Sequence, residues 1–275
     1  KWNGGFRGVF QCLMCLILTQ MILGCGETDR DTQAAPSPDV TNPSEVRPDA
    51  NWYAVWATAQ TGSTTTRFDN QTLRLIVYPT GAGSKLRVKL RNFFGNDSVR
   101  IAAVAVSKRR EKSQVIESST TPLFFNGQRS FVLQPGEDLF SEPVSFDVQA
   151  FEDLAIDIFV EGPAAVSQDS AAYLTSYIGE PNSGNLVGQN SDEKFGTTIT
   201  AMPLLEEVSV FSSEIKGTIV AVGGSVVDGV GSNVDQHNRW TDFLAARLVA
   251  QASTTKKLTV VNEGISGNTT QDVLD

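Results

Sequence analysis

Between residues 51 and 213 the chain is written in short runs that alternate apolar and polar side chains with a period of two, without helical periods. Successive side chains of a strand point to opposite faces, so this alternation demands half-buried β-strands. The runs cover 52–58, 73–78, 86–90, 101–106, 131–133, 144–146, 154–160, 173–177 and 208–211. Gly81-Ala82-Gly83, Gly95-Asn96-Asp97, Asn126-Gly127 and Pro135-Gly136 supply turn chemistry between them. Many short strands closed by such turns predict an antiparallel β-sandwich over 51–213, jelly-roll-like, with no internal repeat. Trp52 and Trp56 lie four apart, which predicts one strand face. That face is either a sugar-stacking platform or core, and core is the favoured reading. Arg74, Arg87, Lys89 and Arg91 alternate with apolar residues in the manner of a solvated face.

From residue 214 the pattern changes. Thr218-Ile219-Val220-Ala221-Val222 breaks into Gly223-Gly224-Ser225-Val226-Val227-Asp228-Gly229, and Leu258-Thr259-Val260-Val261 breaks into Asn262-Glu263-Gly264-Ile265-Ser266-Gly267-Asn268. Trp240, Phe243, Leu244 and Leu248 recur at helical spacing between them. The segment 214–275 therefore reads strand, loop, helix, strand, loop. In a right-handed βαβ unit both loops leave the carboxyl ends of parallel strands, where open α/β sheets bind ligands. Ser225 and Gly267 are thus expected to face one crevice. Two strands and one helix cannot cover both faces of a parallel sheet, so the α/β part is expected to be cut short or to pack on the β-rich part.

The ends and the charge narrow the function classes. Formal net charge is -9, and the absence of clustered Lys and Arg disfavours a nucleic-acid groove. Cys12, Cys15 and Cys25 all lie in the first 25 residues, which leaves the body no internal disulfide and no thiolate metal site. Residues 1–25 read as an export signal, with Lys1 and Arg7 ahead of an apolar stretch too short and interrupted to span a membrane comfortably. Ile22-Leu23-Gly24-Cys25 resembles the bacterial lipobox, in which Cys25 becomes the lipidated first residue of a mature lipoprotein; an ordinary secretory signal is the alternative. Residues 26–50, rich in Asp, Pro, Ser and Thr, read as a disordered tether. The expected location is the cell envelope, on a bacterial membrane.

Ser225, at a strand-to-helix turn, would expose its hydroxyl beside outward-pointing backbone N–H groups. Serine needs a base, usually a histidine oriented by a carboxylate. The lone histidine, His237, sits in the polar loop Asp235-Gln236-His237-Asn238-Arg239, where solvent exposure is the ordinary expectation. The spacing Gly224-x-x-x-x-Gly229 lacks the Lys-Ser or Lys-Thr of a phosphate loop, and Gly229-x-Gly231 lacks the third glycine of a dinucleotide fingerprint.

The two glycine blocks, together with Arg239-Trp240, Leu244-Ala245 and Arg247-Leu248, resemble the opening of an SGNH/GDSL-type esterase. Asn70-Gln71-Thr72-Leu73-Arg74 and Arg91-Asn92-Phe93-Phe94-Gly95 resemble the β-rich domain that precedes the catalytic domain in a secreted branch of that family. The resemblance implies a β-sandwich followed by the start of a three-layer, flavodoxin-like α/β/α domain. It implies that Ser225 is the nucleophile and contributes its N–H to the oxyanion hole, that Gly267 donates a second N–H, and that Gly223, Gly224, Asp228 and Gly229 support the first block. It implies acyl transfer to serine with no metal or cofactor. Gly224 stands where the family usually has Asp, and the third-block Asn and the Asp-x-x-His would lie beyond Asp275. The expected function is a cell-envelope esterase acting on carbohydrate or lipid esters. The alternative is a non-catalytic envelope lipoprotein whose β-sandwich binds a glycan. Expected partners are a small ester or glycan substrate and, through the anchor, a membrane, with no nucleic acid; nothing in the sequence sets the oligomeric state.

Overall fold

Alternation in the sequence becomes two antiparallel sheets pressed face to face. The computed structural model describes residues 50–251, 257–269 and 271–272, so the export signal, Cys25 and most of the tether lie outside the described residues. The longer strands are β1 (Trp52–Ala57), β2 (Gln71–Val77), β3 (Gly83–Arg91), β4 (Val99–Lys108), β5 (Leu154–Glu161), β6 (Leu205–Phe211), β7 (Ile215–Gly223) and β8 (Lys257–Gly264). The helices are α1 (Ser225–Asp228) and α2 (Trp240–Gln251).

One sheet runs β1, β6, β3, with the short strands Asp138–Phe140 and Val144–Val148 on the far edge of β3. The other runs Thr197–Ile199, Ser176–Ile178, β2, β5, β4, and both Thr121–Leu123 and Phe131–Leu133 pair with β4. Leu86, Val88, Leu90, Val208 and Val210 of the first sheet join Leu73, Leu75, Val104, Val106, Ile156 and Ile158 of the second in one buried cluster. This is a β-sandwich, each sheet giving every second residue to the shared core.

Two expectations about its faces are corrected. A β-bulge between Ala54 and Trp56 shifts the parity of β1, so Trp52 pairs with Phe211 while Trp56 pairs with Val208. Trp56 therefore enters the core, whereas Trp52 stays outside against Phe211 and beneath Arg87. The two tryptophans do not share a face. Arg74 is not solvated either: it is fully buried. Its Nε and Nη2 each donate to Asp157 at 2.8 Å, Nη1 donates to Ser113 O at 2.5 Å, and the Phe195 ring lies 4.2 Å from the guanidinium. The cause is a second layer, in which Ile76, Ala155, Tyr177, Leu186 and Phe195 bury the outer face of β2 and β5.

β7 and β8 are parallel, paired from Ile215 with Lys257 to Gly223 with Gly264, with a register shift between Ile215 and Gly217. They dock on β1. Thr218 and Thr259 hydroxyls donate to Ala54 O at 3.2 and 2.8 Å, and Thr80 Oγ1 lies within 3.0 Å of Val55 O and 2.8 Å of Val260 O. Asn262 to Gly264, expected in the loop, belong to β8 because pairing with β7 carries it that far. α2 forms where its period predicts, but Thr241 and Ala245 are its buried residues, while Trp240 and Phe243 are 43% and 55% exposed.

Candidate functional site

The two glycine loops meet at the carboxyl ends of β7 and β8. A single helical turn, α1, follows Gly224, and Gly229 closes it in the left-handed conformation at φ 109°. The second loop is a tight turn in which Asn268 N donates to Ile265 O at 3.0 Å and Gly267 has φ 96°. Ile265 N donates to Gly223 O at 2.8 Å, and the Ser266 hydroxyl donates to the buried carboxylate of Asp228. Asn262, itself buried, braces the rear: its Nδ2 lies 2.7 Å from Val227 O and 3.1 Å from Thr241 Oγ1, and its Oδ1 accepts from Gly264 N at 2.9 Å. One side chain thus ties α1, α2 and β8 together.

Space, more than backbone conformation, selects two of these glycines. A Cβ on Gly264 would stand 2.2 Å from Asp228 N, and one on Gly224 would stand 2.5 Å from Asn268 O. Gly224 has φ −86°, which any residue adopts, so the Asn268 carbonyl is what excludes a side chain there.

Ser225 is exposed, and its hydroxyl makes no hydrogen bond among the described residues. The amides of Ser225 and Gly267 likewise donate to no acceptor among them. The structure therefore brings a free hydroxyl and two free N–H donors to adjoining loops. It does not bring His237 to Ser225. His237, with φ 45°, is half-buried and stacks on Tyr78 with ring centroids 3.6 Å apart and planes 11° from parallel. The solvent-exposed loop histidine is corrected accordingly. Its loop is pinned to the sandwich through Asp235, which accepts from Thr175 N at 2.7 Å and Thr175 Oγ1 at 2.6 Å.

Sequence reasoning missed a set of carboxylates gathered around Glu263 of β8. Burial pushes the Glu263 carboxyl up to about 8, and the charges of Glu206, Glu207 and Asp169 push the same way while Lys89 opposes them. Asp169 is also raised, chiefly by burial, although Thr58 donates to it at 2.5 Å and Ala171 N at 3.0 Å. Burial, followed by Asp228, raises the Tyr173 phenol. Glu263 and the groups that act on it come from β3, β6, β8 and the strand Ser167–Asp169, and no local motif announces a meeting of such distant segments. Among the described residues, no group of three or more His, Cys, Asp or Glu side chains is arranged to hold a metal ion, and no helix is long and apolar enough to cross a membrane. No protein-family model and no curated protein matches the chain.

Proposed function

We propose that the chain is a cell-envelope serine esterase of the SGNH/GDSL type, acting on carbohydrate or lipid esters by acyl transfer to Ser225. One observation carries the reading: a free serine hydroxyl and the free amides of Ser225 and Gly267 lie on adjoining loops at the carboxyl ends of two parallel strands. In this reading β7, β8, α1 and α2 open a three-layer α/β/α domain. Ser225 Oγ adds to the ester carbonyl carbon as its proton passes to a base. The carbonyl oxygen, now negative, accepts from the two amides, and the bond to the alcohol breaks as the alcohol takes up a proton. Water then repeats the sequence on the acyl-enzyme and releases the acid. Each oxyanion donor is worth ~10² to 10³ in rate. The base and the third donor belong to family blocks that residues 1–275 do not contain, since the only histidine is turned to Tyr78.

A second reading is favoured by Gly224. The Asn268 carbonyl occupies the space that the family's Asp side chain needs, which fits a non-catalytic envelope lipoprotein with a hydrolase remnant and a glycan-binding sandwich. Hydrolysis of 4-nitrophenyl acetate separates the two. The 275-residue chain is expected to match its Ser225→Ala variant, and a chain extended by an Asp-x-x-His block is expected to turn over substrate and lose turnover in Ser225→Ala. An inactive extended chain sinks the esterase reading; Ser225-dependent turnover by the 275-residue chain relocates the base, with His237→Ala as the check.

The proposed location follows from Ile22 to Cys25: export, then lipid anchoring through Cys25, with the Pro-rich segment as spacer. Cys25→Ser should move the protein from the membrane to the soluble fraction on cell fractionation; unchanged partitioning rules the anchor out.

A further inference from the structure

The sandwich carries a groove of about 300 Å³ that the chemistry proposed at Ser225 does not use. Phe68, Ile178 and Ile199 give it an apolar floor. Thr65, Thr66, Thr197 and Gln168 line it with hydroxyl and amide groups whose side chains hydrogen-bond to nothing among the described residues. Among the described residues Arg67 is the only charged side chain in the lining, and it is already engaged, with Nη2 3.0 Å from Asp97 Oδ2.

A loop tied to Arg67 of this lining through Asp97 holds two phenyl rings in water. Phe93 and Phe94 are 49% and 44% exposed and meet edge to face at 4.8 Å. Beneath them Asn92 is fully buried; its Nδ2 donates to Asp97 O at 2.9 Å and its Oδ1 accepts from Ser167 N at 3.0 Å. Phe94 N donates to Ser167 Oγ at 3.2 Å, so the loop is fixed on both sides of the rings. Asn96 Nδ2, 3.2 Å from Ser63 Oγ, and the Arg67–Asp97 pair tie the same loop to the groove rim. Single exposed apolar residues are ordinary on a surface, but adjacent rings on a loop clamped by a buried asparagine are not.

We propose that this groove, with Phe93 and Phe94 on the loop tied to its lining, binds a neutral carbohydrate. A sugar ring offers a C–H face to apolar and aromatic surface and a hydroxyl edge to unpartnered hydroxyl and amide groups, and it carries no charge. The lining has that combination, and it offers an anionic ligand no uncommitted cation. The volume lies at the low end of small-molecule sites, which suits a single sugar residue of a longer chain. Binding here needs neither Ser225 nor its base, so the proposal stands apart from the esterase reading; it rests on the second reading, the glycan-binding sandwich, to which it gives a site and a ligand class.

The test uses the full chain on an array of neutral oligosaccharides, with polygalacturonate and phosphatidylcholine–phosphatidylglycerol vesicles as the other probes. Binding to neutral glycans is expected, about tenfold weaker in Gln168→Ala, whose side chain hydrogen-bonds to nothing among the described residues, and in Phe94→Ala, which keeps the backbone bond from residue 94 to Ser167, and unchanged in Ser225→Ala. Unfolding midpoints of the variants should match the parent, which keeps loss of binding separate from loss of fold. No binding to any neutral glycan, equal binding by the variants, or binding to vesicles or polygalacturonate alone overturns the proposal. Glycan binding without turnover in the extended chain removes the esterase reading and leaves this one intact.

Discussion

In the sandwich, Leu86, Val88 and Leu90 of β3 are wholly buried, whereas Val220 and Val222 of β7, just as apolar, are 52% and 50% exposed. The difference lies in what surrounds the strands. β3 has β6 on one edge, short strands on the other and a second sheet across its inner face. β7 has β8 on one edge and, among the described residues, no strand on the other. A parallel pair is stable when both of its faces are covered. Here contact with β1 supplies part of that cover, and the bare valines mark the remainder. Burial is thus conferred by neighbours, and an apolar strand shows only that it is suited to burial.

The sharpest contrast within the sandwich is between its ion pairs, and it sets the largest predicted effect. Arg74 and Asp157 are buried to 0% and 1% side-chain exposure, while Arg100 and Glu161 pair at 57% and 51%. Removing one partner of a buried pair strands the other charge away from water, so Arg74→Ala should cost about 3–5 kcal/mol in urea unfolding. Arg100→Ala should cost about 0–1 kcal/mol. Equal losses would mean that the layer of Phe195 and Leu186 does not seal the Arg74 site. The double variant Arg74→Leu, Asp157→Leu should recover much of the loss, because no charge is then left unpaired.

What the sequence shows and what it hides follows the same line between local and distant partners. The run 131–133 and the alternation of β3 are visible because each residue's face depends on its immediate neighbours. Both glycine loops are visible for the same reason, since turn chemistry is local. Arg74 is not, because its partner lies 83 residues away and the segment that covers it has no alternation of its own. Trp56 is misplaced by one inserted residue in β1, a bulge that only the pairing with β6 reveals. The strand expected from 173 to 177 begins instead at Ser176, because Tyr173 takes φ 57° and cannot join an extended ladder. At the candidate site the hydroxyl and amides are legible in the motif, whereas Glu263 acquires its character from Glu206, Glu207 and Asp169.

Glu263 offers a test of the junction between the two regions. Its carboxyl is raised in the folded state to about 8, from an ordinary value of 4.5. A raised carboxyl means that the folded protein holds a proton which the unfolded chain releases at lower pH. Its stabilising contribution is therefore complete below about 4.5 and is lost as pH rises through about 8. Asp169, raised in the same direction, adds to the slope. The thermal midpoint should fall between pH 5 and pH 9, and Glu263→Gln should flatten that fall by removing the titrating group while keeping its shape. A slope unchanged in Glu263→Gln would place the titration elsewhere and uncouple β8 from the acidic rim of the sandwich.

The smallest effect bears most directly on why the two regions differ. Valine and threonine have nearly the same shape, so exchanging them changes what a site does with one hydroxyl. At Val88 the hydroxyl would be buried between two sheets without a partner, and Val88→Thr should cost about 1–3 kcal/mol. At Val222 the hydroxyl would reach water, and Val222→Thr should stay within about 0.5 kcal/mol of the parent in the 275-residue chain. Urea unfolding of both variants measures the contrast under one set of conditions. If Val222→Thr instead costs as much as Val88→Thr, the face of β7 is covered in solution, and the bare parallel pair is not the state the protein occupies. The same exchange in the extended chain used for the esterase test carries the argument one step further. In a three-layer α/β/α domain the face of Val222 is interior, so the cost of Val222→Thr should rise toward that of Val88→Thr. A cost that stays near zero there would show that the added residues do not complete the sheet, and would leave Ser225 on a two-stranded remnant.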